Sequence, residues 1–548
     1  MRQCTGRTAA RGKSFEQLEA WPCAHLPAFT FLVKTQEGGL RRSVPVLISR
    51  MFAVMACSAA AWSVSLSPAQ AQAAFAPVQA PAAAAMRGAT ATAVTDPQAL
   101  PAPLAAAWRA SRLPDSALSL VVQPLDDGAP IFSIQPQVAR NPASVMKLVT
   151  TWAALSELGP NYVWRTEFLT EPGARIDPHG TLNGPLYLRA GGDPQLMFEN
   201  IWNLMRELRL HGVKQINDLV IDRSVFGAVA TDPGAFDGMP DRPYNASPDA
   251  FMVGYGAMRV AFLPDAAARR WMPVIDPPVP GVRIEGEVRW GEEVCPGSPA
   301  VGIEPLITPQ GVTLRLSGKA AGSCGEFSVY RLALSQTDLA ESVFRLLWKE
   351  VGGTFKGRVR TGATPPAAVL LASHESPTLL ETIRVINKRS NNVMARTLLL
   401  TLGAERGRRP ATVESSGATV NQLLAAQGLP MPELMLDNGA GLARTARISA
   451  QSLASMLQVA WRSSLMPEYM SSFAISGVDG TVRRRMRDVA TQGMAHLKTG
   501  SLRDSRALAG YVLGASGKRY LIVSMVNDDR AEAVRGFNDA LITWIAEQ

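Results

Sequence analysis

Three short motifs follow one another along a chain of 548 residues: Ser144-Val-Met-Lys147, then Ser390-Asn-Asn392, then Lys498-Thr-Gly-Ser501. A serine hydroxyl attacks a carbonyl only when a base takes its proton. A lysine is such a base only when burial or a nearby positive charge lowers its pKa. Ser144 and Lys147 are three residues apart, so on a helix they share a face. Asn141-Pro142 reads as a helix cap followed by proline at the first helical position, and apolar residues recur at Val145, Leu148, Val149, Trp152 and Leu155 before Gly159-Pro160 closes the run. Ser144 is therefore expected in the first turn of a buried helix, beside free backbone N–H groups and the positive end of the helix dipole. Lys498 is the candidate second positive charge. The chemistry is serine acyl transfer without a histidine.

The other two motifs fit this chemistry. An amphipathic run over 378–388 precedes Ser390, and an apolar run over 393–402 follows Asn392, which places both residues in or beside a turn between helices. Asn392 can hold a substrate amide through donor and acceptor together, and Ser390 can relay a proton to a leaving amine. Residues 495–501, 507–513 and 520–525 read as adjacent antiparallel strands, with a turn at 514–518. Gly500 would let another backbone approach closely. Lys498 and Thr499 would bind a terminal carboxylate, and the Ser144 and Ser501 N–H groups would form an oxyanion hole. Taken singly, each motif has a plainer reading: a capping serine, an ordinary turn, an edge-strand lysine. The ordered combination outweighs those readings.

The chain resembles the D-alanyl-D-alanine carboxypeptidase/endopeptidase family, the class C low-molecular-mass penicillin-binding proteins, from about residue 97 to the end. Besides the three motifs, the likeness rests on Gly191-Gly-Asp-Pro194, Asp218-Leu-Val-Ile-Asp222, Pro243-Tyr-Asn245 and Asp437-Asn-Gly-Ala-Gly-Leu-Ala-Arg444. The gap of 246 residues between the first two motifs (390 − 144) is also typical, where β-lactamases have a much shorter one. The resemblance implies a penicillin-sensitive serine peptidase that cuts D-alanyl bonds of peptidoglycan stem peptides and is acylated by β-lactam antibiotics. It also places Arg444 beside the cleft. Arg503, two residues past Ser501, would face the same side of a strand as the oxyanion donor. Either guanidinium could bind the extra carboxylate of a diaminopimelate stem, unless it is solvated or paired with Asp437 or Asp504. Phe251-Met-Val-Gly-Tyr255 and Arg503 depart from the family pattern.

The N-terminal region looks like a targeting segment. Arg41, Arg42 and Arg50 lead into the apolar stretch 51–66, and Ala69-Gln-Ala71 and Ala71-Gln-Ala73 are cleavage-type sites. An exported, periplasmic protein is expected, with residues 1–73 removed and an Ala/Pro-rich linker over 74–95. Net charge is +9, and removing the eight Lys/Arg and three Asp/Glu of residues 1–73 leaves +4 (47 − 43). That mild bias, without a basic cluster interleaved with aromatics, does not suggest nucleic acid. Three of the five cysteines lie in the leader, leaving Cys295 and Cys324, an even count that suggests one disulfide in an exported protein. C-x28-C without a second pair is not a zinc pattern, and the five histidines form no ligand spacing, so no metal or cofactor is expected. His496 is read as a packed histidine near the site.

Two or three domains suit this length. An α/β (α+β) transpeptidase/β-lactamase-like catalytic domain is expected over 96–164 plus 378–548. A long strand-rich insertion would split it into two further domains, one over 165–187 plus 275–377 and one nested at 188–274. A serine β-lactamase-like hydrolase and a non-catalytic peptidoglycan-binding protein are the alternatives. The first lacks an identifiable water-activating group and the second would not keep all three motifs. A homodimer is left open.

Overall fold

The computed structural model describes residues 93–548 apart from Asp127 and Val489. The expected leader and most of the linker lie outside the described residues. The catalytic half is built on a six-stranded antiparallel sheet in the order Ala474–Ile475, Ala495–Leu502, Ser505–Leu513, Arg519–Asn527, Leu118–Pro124, Phe132–Ile134. Strict alternation buries both faces of it. Along the central strands Leu508, Val512, Ile522 and Val526 face a cluster closed by the helices Ala102–Ser111 and Arg535–Ala546, while Ala509, Tyr511, Val523 and Met525 face a second cluster. That second cluster is closed by Met146–Leu158, Leu379–Arg389, Asn392–Glu405 and Ala450–Arg462. Chain ends meet in one sheet here, because Leu118–Pro124 pairs with Arg519–Asn527 along its whole length.

The inserted residues organise differently from the nested scheme. A boundary at 188 would fall inside the strand Leu186–Ala190, which pairs with Arg165–Thr170 on one side and Leu219–Asp222 on the other. The helix Phe198–Leu210 is the crossover between these two parallel strands, so 188–222 cannot leave the sheet. Val359–Thr361 and Val369–Glu375 complete five strands. Nor is 274 a boundary: it lies in Arg270–Asp276, which pairs with Met258–Asp265, and that strand pairs in turn with Phe327–Arg331. A further sheet spans 282–321, and Cys295 and Cys324 are joined as a disulfide at its end. One hydrophobic cluster runs from Phe168 to Ala372 and takes in Leu400, Ala404 and Ala411 of the catalytic half.

Candidate active site

Ser144 sits in a 3-10 turn, Ala143–Val145, that leads directly into the helix Met146–Leu158, half a turn earlier than a simple helix start. Asn141 Oδ1 accepts from the Ala143 N–H at 2.9 Å, and Ala143 has φ +46°, a strained value for a residue with a Cβ. Two glycines let backbone close on this turn. A Cβ on Gly500 would lie 2.4 Å from the Pro142 carbonyl oxygen and 3.0 Å from the Ser144 nitrogen. A Cβ on Gly441 (φ +69°) would lie 1.8 Å from the Ala143 carbonyl oxygen. Strand Ala495–Leu502 and the 437–444 segment are thereby pressed against the nucleophile from two sides.

Lys147 is fully buried. Its Nζ stands 2.9 Å from Ser144 Oγ and donates to Asn392 Oδ1 at 2.6 Å and to the Ala440 carbonyl at 2.5 Å. All three partners can accept from an ammonium, and in the neutral amine the two pure acceptors take both N–H groups while the lone pair faces the Ser144 hydroxyl. The electrostatics agree: burial first, then the charges of Lys498 and Arg396, hold the Lys147 pKa well below its ordinary value. Lys498 is also fully buried, which lowers its pKa to about 7. It donates to Ser390 Oγ at 2.9 Å and to the Thr499 carbonyl at 2.8 Å.

Local sequence explains these placements. Thr378 and Glu381 form a capping box that starts the helix Leu379–Arg389. Ser390 ends that helix in the left-handed conformation, φ +58°, and Asn391 caps the next by accepting from the Met394 N–H. The two caps turn Ser390 and Asn392 to the same cleft. Strand Ala474–Ile475 pairs with Ala495–Leu502 only as far as Leu497. Among the described residues the edge at 498–502 thus has no strand neighbour on the cleft side, the kind of open edge to which an extended peptide can pair.

Six of the motif residues, Ser144, Lys147, Ser390, Asn392, Lys498 and Gly500, converge on one spot. Thr499 and Ser501 project from the opposite face of that strand, and Thr499 Oγ1 donates to Thr481 Oγ1 at 2.8 Å. Arg503 is not in a strand. Leu502 pairs with Ser505, so Arg503-Asp504 is a two-residue hairpin loop and Arg503 is exposed at its tip. Arg444 is exposed, pairs with Asp504 at 3.2 Å, and lies 4.6 Å over the Phe236 ring. His496 is half-buried, with Nδ1 unpartnered among the described residues.

The sequence reading passed over Arg396. It is buried, four residues after Asn392 on the same helix face, and Nη1 donates to the Ala246 carbonyl of the insert at 2.9 Å. A lone charge in the apolar run 393–402 was the available signal. Arg396, Asp437 and Arg444 face Asp232, Phe236 and Asn245 of the insert across a cavity of about 420 Å³.

A serine held in a tight turn, a buried lysine beside it, a serine–asparagine turn and a lysine-bearing edge strand, set between a sheet and a helical layer, define a serine–lysine acyl hydrolase of the penicillin-binding type. The chain belongs to the D-Ala-D-Ala carboxypeptidase 3 (S13) family, whose model matches residues 100–548. It is an enzyme, a serine-type D-Ala-D-Ala carboxypeptidase. It is 27% identical over 394 residues to the D-alanyl-D-alanine carboxypeptidase DacB of Haemophilus influenzae, covering 70% of this chain and 80% of that one. It is also 27% identical over 421 residues to the D-alanyl-D-alanine carboxypeptidase of Actinomadura sp. (strain R39), covering 74% and 77%. Among solved structures, penicillin binding protein 4 from Haemophilus influenzae shares the fold, with a TM-score of 0.67 at 23% identity over 81% of this chain and 99% of the other.

Proposed function

We propose that this carboxypeptidase is exported and hydrolyses D-alanyl bonds of peptidoglycan stem peptides, with Ser144 as the acylated nucleophile and Lys147 as its base. The observation that carries this reading is the Lys147 hydrogen-bond set. In the unprotonated amine, Asn392 Oδ1 and the Ala440 carbonyl take the two N–H groups, and the lone pair is free for the Ser144 proton 2.9 Å away. Ser144 Oγ attacks the carbonyl of the penultimate residue, the oxyanion is held by the Ser144 and Ser501 N–H groups, and the C–N bond breaks. The proton taken by Lys147 reaches the leaving amine through Ser390, which Lys498 orients. Water then enters by the reverse route, splits the ester and restores Ser144. Lys498 and Thr499 hold the substrate's terminal carboxylate. Asn392 positions Lys147 and the acyl-side amide.

β-Lactams would acylate the same serine. The Haemophilus influenzae protein, whose fold this chain shares, has been solved in complex with a β-lactam. Among the described residues no helix is long and apolar enough to cross a membrane. Periplasmic location therefore rests on the leader-like sequence of residues 1–73. Arg444 and, from the hairpin tip, Arg503 would select stems bearing a diaminopimelate carboxylate. Support comes from the exposed guanidinium of Arg444 on the rim of the cavity shared with Asp232 and Phe236. The deciding experiment is Ser144→Ala assayed for fluorescent-penicillin labelling and for D-alanine release from a D-Ala-D-Ala pentapeptide. Both should be abolished with the fold retained, and labelling at the wild-type level would remove Ser144 from the mechanism.

A further inference from the structure

One short run beside the cleft plays no part in the steps above. Residues 481–487 hold four arginines, Arg483, Arg484, Arg485 and Arg487, and no acid. Their charge of +4 equals the whole surplus of residues 74–548 (47 − 43). The run starts at the substrate edge, where the Thr499 hydroxyl meets that of Thr481 at 2.8 Å. Its backbone is anchored. Val482 and Met486 are buried in the cluster closed by the helices Ala102–Ser111 and Arg535–Ala546, and Arg485 Nε donates to Asp539 Oδ1 of the second helix at 3.0 Å. The Arg485 N–H bonds the Val482 carbonyl at 3.0 Å, and Arg487 Nε donates to the Arg483 carbonyl at 3.3 Å. Arg483, Arg484 and Arg487 are thereby presented on a fixed turn.

These three residues are exposed, and none has a carboxylate partner among the described residues. Nearby acids are already engaged, Asp479 by Lys388 at 2.5 Å and Asp539 by Arg485. Asp488 is the one unpaired acid of 479–488 among the described residues. Arg535, also exposed and without a carboxylate partner among the described residues, lines the same cavity as Thr481, Arg485 and Thr499. Like charges crowded on one turn repel one another, so an anionic partner relieves a cost that the free protein carries. The run holds no aromatic ring on which a base could stack. Its two large apolar side chains, Val482 and Met486, are buried and so cannot enter a bilayer.

We infer that residues 483–487 form an exosite for a polyanion with repeated carboxylates, the peptidoglycan stems beside the one in the cleft, with Arg483, Arg484 and Arg487 as its contacts. The inference rests on the peptidase reading given above. Continuity decides the partner. The run leads away from the strand that holds the substrate's terminal carboxylate, so a polymer engaged there lies within reach of it, whereas a membrane on this face would cover the open edge. A guanidinium takes a carboxylate through two parallel N–H donors. Exposed rim charges act on capture and on its salt dependence and leave the covalent step alone.

The test compares purified sacculi with a soluble D-Ala-D-Ala pentapeptide. Protein first acylated with penicillin, so that the cleft is filled and cannot itself hold a stem, should sediment with sacculi, and the bound fraction should fall as salt rises. The triple variant Arg483→Gln, Arg484→Gln, Arg487→Gln should bind about ten-fold more weakly, with a flatter salt dependence. Its kcat/KM on the pentapeptide should stay within about two-fold of the wild type, while KM on sacculi rises. Amidating the carboxylates of the sacculi should remove the difference between the two proteins. Equal binding by wild type and variant, an equal loss on the pentapeptide, or a difference that survives amidation would overturn the exosite. Arginine-dependent binding to vesicles of anionic phospholipid, with sacculus binding unchanged in the variant, would overturn it in favour of a membrane surface. A protein that binds sacculi as expected but releases no D-alanine from either substrate would sink the peptidase reading and leave the exosite standing.

Discussion

The catalytic half and the insert treat buried cations in opposite ways. In the insert the buried Arg331 pairs with Asp241 at 2.8 Å, and Asp222 accepts from the Ser224 and Thr364 N–H groups. Most other insert ions, such as Arg165–Glu375 and Arg259–Asp276, are exposed pairs. In the catalytic half Lys147, Lys498 and Arg396 are all buried, and none has a carboxylate within ion-pair distance among the described residues. An unpaired buried cation destabilises the fold. Here burial first, and then the charges of Lys498 and Arg396, lower the proton affinity of Lys147, the direction a general base needs. The insert pairs its buried arginine with a carboxylate, while the cleft holds its buried lysines apart from any carboxylate among the described residues.

The sharpest way to break this comparison is Lys147→Met. Removing the base should slow acylation by penicillin by about 10²-fold or more. The melting temperature should hold or rise, because the substitution removes a buried group that resists ionisation. A folded but clearly destabilised variant would mean that the Lys147 hydrogen bonds support the cleft more than its basicity costs.

In the insert the largest effect should be on stability alone. The Cys295–Cys324 bond closes a separation of 29 residues. The chain-entropy model gives it about 3–4 kcal/mol. Reduction, followed by calorimetry and penicillin labelling, should lower the melting temperature while labelling of the still-folded protein persists. Loss of labelling before unfolding would show that the insert controls the cleft directly.

Arg444 comes next, where the two halves face each other. Arg444→Ala should lower kcat/KM on diaminopimelate peptides by about 1.5–3 kcal/mol and affect a simple penicillin, which lacks that side chain, much less. Equal losses on both would assign Arg444 to support of the cleft through Asp504.

The mildest probe is pH. Lys498, lowered by burial to about 7, carries its charge below that value and loses it as pH rises through it. Its help in binding a substrate carboxylate should therefore fade above about pH 7. Lys147 works only unprotonated, so falling pH removes the base. The acylation rate should be bell-shaped, with an alkaline limb near pH 7 that moves upward in Lys498→Arg. A flat profile through this range would mean that Lys498 acts through hydrogen bonding alone.

Much of the catalytic half was legible without coordinates. The apolar runs 507–513 and 520–525 specify strands, and the amphipathic run 378–388 and the apolar run 393–402 specify two helices with a turn between them, because these are local preferences of a few adjacent residues. The three motifs name the reacting groups for the same reason: their chemistry belongs to the side chains themselves. Other features depend on residues hundreds of positions apart. The 188 boundary failed because a parallel strand pair needs its crossover helix, and nothing local in Leu186–Ala190 reveals its partner at Leu219–Asp222. Arg503 was assigned to a strand that ends one residue earlier, where the Leu502–Ser505 pair closes a tight turn. Above all, the sequence supplies two lysines, but only the tertiary structure removes water from both, leaves them without carboxylates and brings Arg396 beside them. Proton affinity depends on solvent exclusion and on distances across the assembled cleft, and no short stretch of sequence contains either.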